Sequence, residues 1–248
     1  MLKDLLRPRW IAFHLLVVAL IVLMINLAFW QLDRHEQRQA FNATLISRFD
    51  EPIVPLNALL DQDPAAIEWR TVSVNGAYLS GADVSVVNVS QDGRAGYDPV
   101  SPLVMPDGRI VLINRGFVPL DAAFPPAPTG QVNITGTVRT SAQRKAGQIA
   151  DPSTGTLTEV QRIDIDRLNE QIDGELVDVY VELLASEPAD SPALSRIASP
   201  DFTTGPHLSY TVQWFIFAAF AVFGWVVVVR RRIIKSRRTS QQAPKRTG

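Results

Sequence analysis

Apolar positions in this chain gather into two long uncharged runs, Trp10 to Leu32 and Phe202 to Val229, and elsewhere fall into short alternating stretches. Each run reaches the roughly 20 apolar residues that a helix rising about 1.5 Å per residue needs to cross a hydrocarbon layer about 30 Å thick. Neither has the polar face of a core helix: Leu15 to Leu27 offers only Asn26, and Val212 to Val229 only Gln213. Trp10 and Trp30 bracket the first run, and Trp214 and Trp225 lie within the second, as membrane interfaces favour. A cleaved signal peptide would explain Lys3, Arg7 and Arg9, but the apolar stretch is too long for a signal core and no small-residue cleavage pattern follows Trp30.

Beyond Trp30 the segment Gln31 to Phe49 is polar, rich in helix formers and free of Gly and Pro, so the first helix is expected to run on into water until Pro52 and Pro55 end it. Strand patterns follow. Thr71 to Asn75 alternates with Val72 and Val74 inward, and Val84, Val86 and Val87 form a second short run. Val132, Ile134 and Val138 alternate with polar residues, and Val177, Val179, Val181 and Leu183 alternate with Asp178, Tyr180 and Glu182 in what reads as a half-buried strand. Ile110 to Ile113 is an unbroken apolar run suited to a strand covered on both faces, and is the candidate centre of the sheet. Turns are expected at Asp92-Gly93 and Pro106-Asp107-Gly108, a short helix from Arg167 to about Ile172 capped by Asp166, and Pro-rich connections at 119–129 and 186–206.

Charge then gives the runs a direction. The segment after Val229 carries eight basic residues and no acid, and the N-terminal segment is also basic, so both ends are expected in the cytoplasm. Residues 10–229 hold 13 of the 24 basic residues and 24 of the 25 acidic ones, a formal charge of −11 hidden by the overall −1. Such a domain is a poor partner for nucleic acid, whereas the basic tail suits a lipid bilayer with anionic headgroups; disorder is expected after Lys235. The absence of cysteine excludes disulfides, thiol catalysis, thiolate copper sites and iron–sulfur clusters.

No enzyme signature is present: there is no phosphate-cradling Gly-rich loop, no nucleophile elbow and no zinc-protease motif, and the chain has three histidines. Asp164 and Asp166 are spaced for one strand face but lack further ligands, so a helix cap or solvated edge is favoured over a metal or acid/base pair. Asn42, Asn88 and Asn133 head Asn-x-Ser/Thr triplets and read as ordinary surface residues. At the start of the second run His207, Tyr210, Thr211 and Trp214 share a helical face, with Pro206 suited to the first turn. A neutral imidazole there is a good ligand for haem iron beside an apolar surface; equally, His, Tyr and Trp together make an interfacial anchoring belt. His14 and His35 reach such a site only if the two helices pair suitably.

These residues resemble a known family. Trp30-Gln31-Leu32-Asp33-Arg34 is similar to the Trp-Gln-x-x-Arg signature of the Surfeit locus protein 1 family of cytochrome c oxidase assembly factors. Trp69-Arg70, Gly76-Ala77-Tyr78, Gly96-Tyr97 and Asn114-Arg115-Gly116-Phe117-Val118-Pro119 extend the likeness, and His207-Leu208-Ser209-Tyr210 with Trp214-Phe215 matches the family's His-Leu-x-Tyr and Trp-Phe pattern. Ala28 stands where the family has Gly, Phe117 where Trp is usual, and Gly205-Pro206 where many members have polar residues, as in a divergent bacterial branch.

The resemblance implies a role without catalysis in maturing the catalytic subunit of haem–copper cytochrome c oxidase, with haem a bound or handed on at His207 as metal ligand. Tyr210 and Trp214 would face the macrocycle; Trp30, Gln31 and Arg34 would hold propionates or orient the exterior domain, or serve as interfacial anchors. Arg115 is expected in a structural ion pair and Gly116 at a tight backbone exit. Expected partners are the catalytic subunit or the oxidase supercomplex, with haem a synthase a further candidate; an accessory oxidase subunit that never ligates haem is the alternative. The fold class expected is a membrane protein with two transmembrane helices, a helical hairpin, flanking a β-rich α+β extracytoplasmic domain. Its parts are a cytoplasmic tail (1–9), a first span (10–32), the exterior domain (33–206), a second span (207–229) and a basic cytoplasmic tail (230–248), in a multi-pass protein of the cell membrane.

Overall fold

A computed structural model describes residues 7–241 of the chain, with side chains described as far as Lys235. In chain order the elements are helix α1 (Pro8–Phe49), strand β1 (Val54–Pro55), a 3-10 turn (Leu56–Ala58), α2 (Pro64–Ile67), β2 (Thr71–Tyr78), β3 (Val84–Gln91), β4 (Arg94–Val104), β5 (Ile110–Asn114) and β6 (Val118–Pro119). There follow β7 (Gln131–Thr140), β8 (Glu159–Val160), α3 (Ile165–Asn169), β9 (Leu176–Glu187) and α4 (His207–Gln241). They form two compact units, a helical one made of the chain up to Ala43 and from Phe202 onward, and a sheet unit from Thr44 to Asp201.

In the sheet unit the strand order is β1-β2-β7-β9-β5-β4-β3-β8, with β6 on β4. Because β2 also pairs with β4, through Ala77 with Val104 and Tyr78 with Leu103, the strands β2, β7, β9, β5 and β4 close on themselves. The apolar alternation read from the sequence supplies the interior: Val72, Val74, Val132, Ile134, Val138, Val179 and Val181 are buried there with Leu103, Val111 and Ile113. The odd-numbered partners of β5, Val111 and Ile113, face that interior, while Ile110 and Leu112 pack outside under Ile165, Leu168 and Ile172. The unbroken Ile110–Ile113 run is therefore covered on both faces, between β4 and the parallel β9.

The Asp92-Gly93 turn joins β3 to β4 with both residues at positive φ, 52° and 76°, the conformation that matches strand twist in a two-residue hairpin. Pro106-Asp107-Gly108 joins β4 to β5, closed by Gly108 N–H donating to Met105 O at 2.9 Å.

Four features depart from the sequence reading. The cap of α3 is Asp164, whose carboxylate accepts from Arg167 N–H at 3.4 Å, and Asp166 lies inside the first turn; the helix also begins earlier, at Ile165. In β9, Tyr180 is buried as well, because its face is covered by the α3 layer. Asn42 is buried, its amide donating to Phe202 O at 2.5 Å, so it is no surface residue. Helix α4 continues through Gln241 where disorder was expected after Lys235, since no Pro or Gly interrupts a run of helix-forming Arg, Lys and Ile; residues 242–248 and Lys3 lie outside the described residues.

Both helices of the helical unit are long and apolar enough to cross a membrane. At 42 residues, α1 extends well past the ~20 that a bilayer core requires, as the polar Gln31–Phe49 segment predicts.

Candidate functional site

The helices α1 and α4 pair antiparallel. Trp10 lies under the Arg232 guanidinium (5.7 Å), His14 accepts from Trp225, Phe29 meets Phe215 edge-on (5.8 Å between ring centroids), Gln31 bonds His207, and Asn42 bonds Phe202 O. Sheltered positions on α1 recur as His14, Val17, Ile21, Met24, Ala28, Gln31, His35, Arg38 and Asn42, and on α4 as His207, Thr211, Trp214, Ala218, Ala221 and Trp225. Alternating steps of three and four are the 3.5-residue repeat of a left-handed helix pair. Ala28, Thr211 and Ala218 are buried at its middle, where small side chains let backbones approach closely. Exposed Leu15, Leu16, Leu23, Val212, Phe220 and Phe223 cover the outer surface, the composition that lipid would solvate.

His207 opens α4 at one end of this seam. Its Nδ1 is 2.8 Å from Gln31 Oε1, an atom that can only accept, so Nδ1 carries the hydrogen. The other nitrogen, Nε2, then holds a lone pair, and it makes no hydrogen bond among the described residues. Thr211 Oγ1 donates to His207 O at 3.0 Å, which fixes the first turn and keeps a polar hydroxyl satisfied on the seam. Before the helix, Gly205 adopts φ +66°, and a Cβ built on it would stand 3.5 Å from Nε2 of His207. The imidazole is thus half-buried and held by one nitrogen.

The sequence-predicted residues do not all converge. His207, Gln31 and Trp214 share the seam, whereas Tyr210 is 46% exposed on the outer surface, since a residue three positions from a seam position in the other direction of the repeat turns away. Trp30 is 49% exposed with the Arg34 guanidinium 5.7 Å from its ring, and Arg34 donates to Gln37 Oε1 at 3.0 Å. Trp30 and Arg34 therefore form an outward-facing group beside the seam. His14 accepts the Trp225 indole N–H at 2.8 Å through Nδ1, which leaves hydrogen on its Nε2. It also lies 17 residues before Gln31, about 25 Å along the helix, so it cannot share an ion with His207. His35 follows Gln31 by one turn on the seam, its Nδ1 buried without a partner. Among the described residues no group of three His, Asp or Glu side chains is placed to hold a metal ion.

Within the sheet unit two clusters explain other motif residues. Arg115, with a side chain wholly buried, donates to both oxygens of Asp190 (2.9 and 2.6 Å) and to the carbonyls of Pro125 and Pro126 (2.8 and 2.9 Å). The expected ion pair is present, and it ties both Pro-rich connections to the end of β5. Gly116 follows at φ +127°, where a Cβ would lie 2.5 Å from Ser195 O, while Phe117 and Ser195 exchange backbone hydrogen bonds of 2.7 and 2.9 Å.

The second cluster is one that sequence reasoning missed. Arg139 stacks its guanidinium 3.6 Å above Trp69 and pairs with Glu68 and Glu182 (3.5 and 2.9 Å). Burial raises the Glu182 carboxyl above its ordinary range and pushes Asp98 up to about 6 despite the Asn114 amide bond at 3.2 Å. Burial likewise pushes the Tyr180 phenol up to about 12. Arg139, Glu182 with Tyr180, Asp98 and Asn114 come from four strands and Glu68 and Trp69 from the connection before β2, an adjacency that no local pattern discloses.

A cleft of about 930 Å³, lined by Asn88, Arg144, Lys145, Gln161 and Arg162 among others, contains none of the predicted site residues.

Comparison with known proteins gives a family model, described as the SURF1 family, that matches residues 18–219. An uncharacterised SURF1-like protein of Mycobacterium bovis is 30% identical over 252 aligned residues, 98% of this chain and 92% of its own, and one from Mycobacterium tuberculosis matches equally. A SURF1-like protein of Monosiga brevicollis is 26% identical over 85% of each chain.

Proposed function

We propose, since this chain belongs to the SURF1 family, that it is a membrane-held assembly factor for haem–copper cytochrome c oxidase, receiving haem a as cargo at His207 and releasing it to the catalytic subunit. Both ends lie in the cytoplasm on this reading, because the basic residues are concentrated there, and the sheet unit and the His207 end of the helix pair lie on the opposite side. The protein works by holding and presenting a ligand and catalyses no reaction of its own.

The observation that carries this reading is the state of His207: a half-buried imidazole at the end of an apolar seam, bonded through Nδ1 and unbonded at Nε2. A neutral imidazole nitrogen with a free lone pair is what a haem iron takes as an axial ligand. The exposed apolar side chains Leu208, Val212 and Phe215 on the same helix offer a surface to a lipophilic macrocycle and its isoprenoid tail. Arg34, exposed beside Trp30, is placed to attract propionate carboxylates without touching the iron.

The test is an absorption spectrum of the protein purified in detergent from cells that make haem a, beside that of His207→Ala. Wild type is expected to carry a haem band and the variant to lose it; a haem-free wild type, or a variant with undiminished haem, refutes the ligand assignment. Deleting the gene is expected to lower the a-type oxidase spectrum while b and c cytochromes persist. Stable copurification with the oxidase at fixed stoichiometry and without haem would instead identify an accessory subunit.

A further inference from the structure

The pairing of α1 with α4 places one acceptor against one imidazole, and the choice of acceptor decides which nitrogen of His207 is able to bind a metal. Neutral imidazole has two tautomers, and hydrogen on Nε2 abolishes ligation through that atom. Gln31 Oε1 accepts only, at 2.8 Å from Nδ1, one helical turn from the buried Ala28 and Thr211. In such low-dielectric surroundings one hydrogen bond holds a tautomer more firmly than it would in water.

Nε2 makes no hydrogen bond among the described residues, so the Gln31 contact alone decides where the ring hydrogen lies. We infer that Gln31 is a positioning residue that fixes His207 in the Nδ1–H tautomer and so leaves the lone pair on Nε2. This deepens the haem reading and rests on it for the identity of the ligand, but not for the tautomer.

This role also gives a reason for glutamine at this position, as distinct from a residue that only donates. A lysine or arginine there only donates, and would force hydrogen onto Nε2. A glutamate would accept at the same reach. Acceptors behind a ligating histidine orient the ring and raise its basicity, and losing one typically weakens metal binding about 10–100-fold.

The experiment uses the full chain in detergent, labelled with nitrogen-15 in histidine, free of haem and at a pH where the imidazoles are neutral. With three histidines in the chain, His207→Ala assigns the His207 signals. Wild type and Gln31→Glu are expected to show hydrogen on Nδ1, and Gln31→Leu to move toward the Nε2–H form that free imidazole side chains favour. An Nε2–H wild type, or a Gln31→Leu spectrum unchanged from it, overturns the proposal. Titration with iron protoporphyrin IX then reads the consequence: about 10–100-fold weaker binding for Gln31→Leu and near-normal binding for Gln31→Glu. A wild type that binds haem no more tightly than Gln31→Leu overturns the positioning role. A wild type that shows the Nδ1–H signature and binds no haem refutes the haem reading alone and upholds the tautomer assignment.

Discussion

Removing Asp190 should cost the sheet unit more than removing most buried apolar side chains, and the reason is Arg115. The guanidinium has no accessible surface, and Asp190 is 7% exposed. The carboxylate takes two of its four short hydrogen bonds, the carbonyls of Pro125 and Pro126 the others. Asp190→Ala therefore strands a cation in the interior with half its partners, a loss of about 3–5 kcal/mol for a buried pair broken from one side. Arg115→Met removes the cation but leaves the buried Asp190 carboxylate with only the Ser191 N–H (2.7 Å) and the two proline carbonyls without a donor, a loss of similar size. The double variant removes both charges and leaves the two carbonyls and the Ser191 N–H, neutral groups costing about 1–3 kcal/mol each where they stay buried and unpaired. It should be no less stable than either single variant, so the coupling is at least as large as one single loss, about 3–5 kcal/mol. Urea unfolding of the detergent-solubilised chain, followed by near-ultraviolet circular dichroism, measures each corner of the cycle. An Asp190→Ala loss below about 1 kcal/mol, or strict additivity in the double variant, refutes the claim that this pair clamps the two connections.

Two further outcomes can be stated briefly. Burial raises the Asp98 carboxyl from 3.8 to about 6, so the folded protein prefers it protonated. Its stabilising contribution is complete below pH ~4 and fades as pH rises through about 6, by about 3 kcal/mol in all. Asp98→Asn should flatten that part of the stability profile in urea titrations between pH 4 and 8, and a variant that still loses stability over this window as wild type does would contradict the burial argument. Ala28→Leu should overpack the seam by about 1–3 kcal/mol and part the helices. In this cysteine-free chain the introduced pair Val17→Cys and Ala221→Cys, brought side by side by the antiparallel register, should cross-link readily, and Ala28→Leu should lower the yield.

Much of this architecture is legible along the chain because its signals are local. The alternation at Val72 and Val74, the Asp92-Gly93 turn and the Ile110–Ile113 run each state a strand or a turn within a few residues, and the structure has all three. Strand β4 was not legible, since Pro99 and Pro102 argue against a central strand. They are tolerated because each needs only to accept: Pro99 O takes Arg115 N–H and Pro102 O takes Leu79 N–H, both at 2.9 Å. The Arg139, Glu182, Asp98 and Asn114 cluster was hidden for a different reason, its members meeting only once β7, β9, β5 and β4 are laid side by side.

The helix pair shows most sharply what a sequence conceals. In water a helix advertises its buried face by contrast, but in lipid the outer surface is as apolar as the seam, so Val17 on the seam and Val18 beside it look alike. Contrast does not return where α1 leaves the apolar run either. The sheltered Ala28, Gln31, His35, Arg38 and Asn42 follow a 3.5-residue repeat, but from Gln31 to Gln39 every residue except Leu32 is polar, so they stand unmarked among exposed Asp33, Arg34, Glu36 and Gln37. Extending that repeat backward reaches Met24, Ile21, Val17 and His14, each sheltered in the structure. The His207 site is therefore a product of register. A shift of α4 by one residue relative to α1 would carry His207 off Gln31, move Trp225 off His14 and take Ala218 out of the narrow part of the seam. Two hydrogen bonds near opposite ends of the seam and small residues between them oppose that slip, which ties the Gln31 contact of the His207 imidazole to the packing of the whole helix pair.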